Sequence, residues 1–211
     1  MDLAALLSIL APPLCAGCAG HASAGRVLCP GCSRELRRLG PEPLVRGDLE
    51  VWAPLAYEGP AAAVARALKY RGALRVADGM AAAVAANAPP GVLASGTLVP
   101  VPLHPARRRR RGFNQAERLG RGLARRTGLP LSDCLERRGG RGTQVGRSRV
   151  DRDAAIEGAV RLRASARAPP VAVLVDDVAT TGATLEACAN ALRAGGAEKV
   201  RAVTYARTPG R

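Results

Sequence analysis

The run Val171-Ala-Val-Leu-Val-Asp-Asp-Val-Ala-Thr-Thr-Gly-Ala-Thr184 constrains this chain more than any other stretch. Val171 to Val175 are all apolar, as a central parallel strand buried on both faces requires. Asp176 and Asp177 emerge where that strand runs out. A loop of small residues follows, Thr180, Thr181, Gly182, Ala183 and Thr184, and a helix is predicted from about Thr184. This order sets two acids and a ring of backbone N–H groups at the carboxyl edge of a sheet, where open α/β folds hold phosphorylated ligands. The acids suit sugar hydroxyls or a magnesium-bound ligand. The loop lets a phosphate approach the backbone, and the helix dipole favours its charge. A buried strand followed by an Asp-rich helix cap is the plainer alternative. A nucleoside triphosphatase also needs Gly-x-x-x-x-Gly-Lys-Ser/Thr; the two lysines, Lys69 and Lys199, precede Tyr70 and Val200, so that reading fails.

The rest of the chain alternates in a way that suits such a sheet. Val51 to Tyr57 reads as a strand, Pro60 opens a helix to Tyr70, and an Ala-rich helix covers about Leu74 to Asn87. Leu98 to Val101 is a short strand. Asn114 to Thr127 has helical spacing, with Ala116, Leu119 and Leu123 on one face. Residues 136–153, rich in arginine and glycine, read as a mobile loop, and Val160 to Leu162 as a strand beyond it. A helix over 184–194 and a strand from Val200 to Tyr205 complete the order. The expected fold class is α/β, a mostly parallel sheet flanked by helices on both faces.

Cys15, Cys18, Cys29 and Cys32 form C-x2-C-x10-C-x2-C. Two such pairs present four sulfurs to one metal, and four thiolates select a closed, structural zinc site. The doubled spacing argues against a redox dithiol; an iron–sulfur cluster and a ligand role for His21 are the lesser alternatives. The division expected is an N-terminal zinc-binding module over 1–45 and a larger domain over 46–211. Cys134 and Cys188 stand apart, and Cys188 shares a helical face with Leu185 and Leu192.

A second phosphate candidate is Val99-Pro-Val-Pro-Leu-His104, where the strand runs into a Pro-bracketed turn carrying Val101, Pro102, Leu103 and His104. Five consecutive arginines, Arg107, Arg108, Arg109, Arg110 and Arg111, follow it. They read either as a solvated basic turn or as a phosphate grip, since the arginine fork matches phosphate oxygens. Phe113 is the only phenylalanine, and beside arginines it suits either base stacking or a place in the core.

Taken together these blocks resemble one known family. Val173 to Thr184 is similar to the signature for 5-phosphoribosyl 1-diphosphate (PRPP) in type I phosphoribosyltransferases. The cysteine pairs, Leu68-Lys-Tyr-Arg-Gly72, Val99-Pro-Val-Pro-Leu-His104 and Arg111-Gly-Phe-Asn-Gln-Ala-Glu117 resemble the ComF branch, related to competence and GntX-type proteins. The resemblance runs from about residue 6 to residue 206. It implies ribose contacts at Asp176 and Asp177, and a 5-phosphate cradle at Thr180, Thr181, Gly182, Ala183 and Thr184. It also implies a diphosphate loop at Val101, Pro102, Leu103 and His104 with Arg111, and a flexible loop with Gln144, Arg149 and Arg152. The chain departs from the family pattern at Arg141, Arg147, Ala155 and Val160. Cofactors implied are structural Zn2+ and Mg2+ carried with PRPP. The activity implied is phosphoribosyl transfer to an unread acceptor with release of diphosphate. The alternative is a non-catalytic module of the DNA-uptake machinery that binds PRPP and single-stranded DNA beside a competence DNA helicase, with Arg107 to Arg110 and Phe113 at the nucleic acid.

Charge fits either course. The formal net charge is +15 over 211 residues, and all but two of the 32 basic residues are arginines, so phosphates, nucleic acid and acidic surfaces are attracted. The apolar Leu3 to Leu14 stretch is too short to span a bilayer and lacks the preceding basic residue of a signal peptide; a short packed helix and a cytoplasmic location are expected.

Overall fold

In the computed structural model the described residues are 14–71, 74–137 and 160–209. Gln144, Arg149 and Arg152, and the apolar stretch up to residue 13, lie outside them. The elements in chain order are α1 (Pro30–Arg34), β1 (Leu44–Arg46), β2 (Leu49–Trp52), β3 (Leu55–Ala56), α2 (Gly59–Arg71), α3 (Leu74–Asn87) and β4 (Thr97–Pro100). They continue with α4 (Pro105–Arg111), α5 (Gln115–Thr127), β5 (Leu135–Arg137), β6 (Val160–Leu162), β7 (Val171–Ala179), α6 (Ala183–Ala194) and β8 (Lys199–Arg207).

The main sheet has the order β1-β2-β8-β7-β4, with β3 also pairing β8. Every pairing in it is parallel except β1 with β2. The predicted strand over 51–57 is two pieces, β2 and β3. Pro54, which has no N–H for the ladder, stands between them, and both pieces lie along β8. The outer edge of β4 is covered by the segment after α5: Leu98 N donates to Pro130 O (2.8 Å) and Ser132 N to Leu98 O (2.9 Å).

Strand alternation divides the core between the two faces. Val173, Val175, Val203 and Tyr205 pack with α2, α3 and α5, and the same cluster takes in Cys15, Leu28 and Cys32. Ala172, Leu174, Val200 and Ala202 pack with Leu185, Cys188 and Leu192 of α6 on the other face, together with Leu135 and Val160. Helices thus cover both faces, as the alternating order requires. Cys188 is fully buried with Leu192, on the face expected. A glycine-sized gap lets α3 and α5 approach; a Cβ added at Gly122 would lie 2.7 Å from Ala81 Cβ.

Two boundaries differ from the sequence reading in ways that matter for the site. β7 runs on to Ala179 rather than ending at Val175, because β8 is long enough to pair it throughout, with Asp176 opposite Thr204 and Val178 opposite Ala206. Glu136 and Arg137, placed in the predicted loop, belong to β5, which pairs antiparallel with β6 as a separate two-stranded sheet. Among the described residues no helix is long and apolar enough to cross a membrane.

Candidate functional site

Because Asp176 and Asp177 lie within a strand, their side chains leave on opposite faces. Asp177 follows Val173 and Val175 onto the α2–α3–α5 face and is buried (2% exposed). Asp176 turns toward α6 and is partly accessible. Its Oδ1 accepts the N–H of Asp177 at 2.8 Å. Burial and the adjacent Asp177 carboxylate hold the Asp176 pKa well above the usual carboxylate range.

Asp177 has two partners that the sequence reading did not single out. Lys69 of α2 places Nζ 2.8 Å from Oδ2. Oδ2 otherwise lacks an aligned hydrogen-bond donor, so this contact is an ion pair rather than a directed bond. Burial works against the Lys69 ammonium, but the charges of Asp177 and Asp176 outweigh it and raise its pKa. From α5, Gln115 Nε2 donates to Asp177 Oδ1 at 3.5 Å, and Gln115 Oε1 accepts from Arg111 at 3.0 Å. Arg111, the end of the arginine run, is thereby tied to the acid through one side chain. The sequence carried Lys69 inside the block Leu68-Lys-Tyr-Arg-Gly72 with no role assigned, because its place opposite Asp177 depends on how α2 packs against β7.

The Pro-bracketed turn begins beside these acids. β4 is the neighbour of β7, and Val101 N donates to Val175 O at 3.0 Å, next to Asp176. Val101 O accepts from Asn114 Nδ2 at 2.9 Å, and Asn114 Oδ1 caps α5 through Ala116 N at 3.1 Å. Val101 and Pro102 are buried, Leu103 and His104 partly so. His104 Nδ1 accepts the N–H of Ala106 at 3.2 Å, which makes it the N-cap of α4 and turns Nε2 away from that bond. Partial burial and the charges of Arg137, Arg107 and Arg109 lower its pKa, so it is a neutral imidazole at pH 7.

The five arginines form helix α4 rather than a basic turn, closed by Gly112 at φ 77° with its N–H on Arg108 O. Arg107 to Arg110 are exposed, and Arg108 reaches Glu117 at 3.6 Å. Phe113 is half-buried against the core, with the Arg118 guanidinium 5.7 Å from its ring centre. Arg137 of the small sheet acts by its charge on His104. It shares the inward face of Leu135, its Nε is buried without a hydrogen-bond partner, and burial and Arg107 lower its pKa.

The loop after β7 carries Thr180, Thr181, Gly182, Ala183 and Thr184 into α6, which begins at Ala183 rather than Thr184. Gly182 is the N-cap in the left-handed region (φ 81°), and no side chain caps the helix there. Thr181 Oγ1 accepts from Ala183 N at 3.4 Å. Of the predicted residues, the structure therefore brings Asp176, Asp177, Val101 and Arg111 to one edge of the sheet, with the 180–184 loop leading from the same strand.

The cysteines form a separate cluster. The four Sγ atoms lie within 4.8 Å of one another, Cys18 and Cys29 at 3.8 Å. Tetrahedral zinc at ~2.3 Å from each sulfur would separate them by about 3.8 Å, so the donor set is compatible with a zinc site. Backbone N–H groups of Gly17 and Cys29 point at Cys15 Sγ, each at 3.3 Å. Burial would raise the Cys15 pKa, but these and the Cys18 N–H outweigh it and bring it down to about 6, whereas burial and the neighbouring thiols push Cys32 up. His21, exposed on the same loop, is outside the cluster.

Comparison with known proteins agrees with this geometry. The phosphoribosyl transferase domain family matches residues 110–211, which include Arg111, Gln115, both acids and the 180–184 loop. Competence protein F of Haemophilus influenzae is 38% identical over 113 residues, covering 52% of this chain and 49% of the relative. Competence protein ComFC of Streptococcus pneumoniae is 33% identical over 110 residues, covering 52% and 47%. The chain spans about half the length of the curated relatives it matches. With a mostly parallel sheet and a four-cysteine cluster, the chain carries a phosphoribosyltransferase-type domain over residues 110–211 and, over about half of its length, is similar to ComF competence proteins.

Proposed function

We propose that the protein binds Mg–PRPP at the carboxyl end of β7, transfers its phosphoribosyl group to an acceptor, and serves DNA uptake in the cytoplasm. The observation that carries the reading is the Val101–Val175 bond, which joins the Pro-bracketed turn to the acid-bearing strand. A ligand with a diphosphate on one side of a ribose and a phosphate on the other fits that arrangement. Asp176 meets the ribose hydroxyls, with Asp177, held by Lys69 and Gln115, fixing the strand behind it. The 180–184 loop meets the 5-phosphate, and residues 101–104 with Arg111 meet the diphosphate. The C1–O bond breaks toward the diphosphate as the acceptor bond forms at C1. Arginine charge and backbone N–H groups stabilise the leaving oxygens, so positioning and electrostatics supply the catalysis. Lys69 already meets the charge of Asp177, so the partly accessible Asp176 would be the acid to face magnesium, giving up its proton to do so. When bound, the ion would neutralise diphosphate charge. The cysteine cluster holds structural zinc.

Calorimetry with Mg–PRPP tests the binding step. Binding by the wild type, lost in Asp176→Asn with Asp177→Asn, is expected; no binding, or binding unchanged in the double variant, overturns it. Diphosphate release across a panel of acceptors tests turnover.

The exposed arginines of α4 beside the turn support a second reading, a PRPP- and single-stranded-DNA-binding module acting with a competence helicase. Tight PRPP binding with no diphosphate release would select it. A gel-shift titration should then show weaker binding when Arg107 to Arg110 are replaced with alanine. Its dependence on salt should flatten as well, by about 0.7 in log–log slope for each DNA phosphate that an arginine no longer neutralises.

A further inference from the structure

The 180–184 loop has backbone N–H groups and hydroxyls but no cation of its own. One arrives from elsewhere in the chain. β1 and β2 form a hairpin in which Arg46 pairs with Leu49, leaving the two-residue turn Gly47-Asp48, with Gly47 at φ 54°. Alternation puts Arg46 on the same face as Leu44, which packs against the cluster beneath α6, although Arg46, like Val45, is exposed. The turn is fastened to that helix: Arg193 donates to Asp48 O at 3.0 Å, and a Cβ at Gly47 would lie 3.5 Å from Glu186 Oε1. The result is that Arg46 lies across Gly182. A Cβ added to Gly182 would stand 3.2 Å from Arg46 Nε and 3.3 Å from its Cγ. Among the described residues no carboxylate or other acceptor holds the Arg46 guanidinium.

We propose that Arg46 is the cationic clamp of the phosphate-monoester subsite, a binding residue delivered by the edge hairpin rather than by the signature strand and loop. This rests on the reading of 180–184 as the 5-phosphate loop. A phosphate monoester carries about −1.5 to −2 charge at pH 7. The guanidinium supplies the matching charge and a planar fork, so this hairpin selects phosphorylated ribosyl ligands over their unphosphorylated counterparts.

The test compares wild type, Arg46→Met and Arg46→Lys by calorimetry, with Mg–PRPP, ribose 5-phosphate and inorganic phosphate as probes. Methionine keeps an apolar stem over Gly182 and removes the charge; lysine keeps charge and loses the fork. Arg46→Met should weaken ribose 5-phosphate and PRPP by about 10- to 100-fold at unchanged Tm, with Arg46→Lys between. Equal binding of both ligands by wild type and Arg46→Met overturns the clamp and leaves the ribosyl reading standing. Wild type that binds inorganic phosphate in an Arg46-dependent way, but neither ribosyl ligand, overturns the ribosyl reading and sustains the clamp. Wild type that binds none of the three overturns both.

Discussion

Lys69 Nζ stands 2.8 Å from Asp177 Oδ2, so a lysine of α2 is the counter-ion of a buried acid on the central strand. The pair ties the helix covering one face of the sheet to the acids at its carboxyl edge. Removing the ammonium leaves a buried charge unmatched, which is costlier than never having had the pair.

Lys69→Met should therefore destabilise the protein by about 3 kcal/mol at neutral pH. The raised Lys69 pKa sets the pH dependence: its contribution in the wild type is fully present below the lysine's ordinary value of ~10.4 and is lost as pH rises through the folded value. Urea denaturation from pH 7 to 11 should show this loss, and a flat difference between variant and wild type would contradict the pairing.

His104 caps α4 through Nδ1 and has a lowered pKa. His104→Ala should cost about 1 kcal/mol, and His104→Asn should restore most of it. The folded protein holds fewer protons on His104 than the unfolded chain does, so its contribution is present above pH ~6.5 and falls as pH drops below that. The denaturation midpoint of His104→Asn should be less pH-dependent between 7 and 5 than that of the wild type.

Gly122→Ala should cost about 1–3 kcal/mol, because the added methyl lands 2.7 Å from Ala81 Cβ where α3 and α5 meet. Truncating the facing residue, as Ala81→Gly in the same chain, should recover part of the loss. A double-mutant cycle by thermal denaturation measures the coupling.

Asp78 joins the same two helices from their exposed ends, with Arg126 at 2.8 Å and Arg125 at 3.0 Å, and the Arg126 hydrogen bond leads in lowering its pKa to about 2. The carboxylate is half exposed, so solvent screens the pair and Asp78→Asn should cost under about 1 kcal/mol. The loss should fade as pH falls from 4 toward 2, where the folded carboxylate itself protonates. Equilibrium unfolding in acid, compared at low and high salt, reads this.

If the cysteine cluster holds zinc, purified protein should carry about one ion per chain. Cys32→Ser, at a buried ligand, should remove it and lower the Tm. Metal analysis with thermal denaturation before and after a chelator checks both.

Much of this fold was legible because its signals are local. The apolar run at 171–175 needs a two-sided core, Asn114 and Gly128 bracket α5, and the cysteine spacing states a cluster without reference to anything else. What was not legible depended on partners across the sheet. The strand ended at Val175 in sequence because two carboxylates look like a boundary, whereas β8 supplies a ladder that carries them inside. The acids then separate onto opposite faces, and only that separation explains why Lys69 and Gln115 find Asp177. Arg46 gave no local sign at all. Its place over Gly182 follows from a hairpin register and from the fastening of that hairpin to α6, which no window of sequence contains.

The core cluster beneath α2 runs without a break from Cys15 and Cys32, through Leu68 beside Lys69, to Val175 beside the acids. If the cluster holds zinc and the sheet edge the proposed ligand, the two sites share one cooperative structure. Whatever tightens the sulfur cluster would then stabilise the fold that presents the acids, and by reciprocity a bound ligand would raise the affinity for the metal. The supply of a trace metal would then set the usable fraction of the protein, without the cluster touching the ligand.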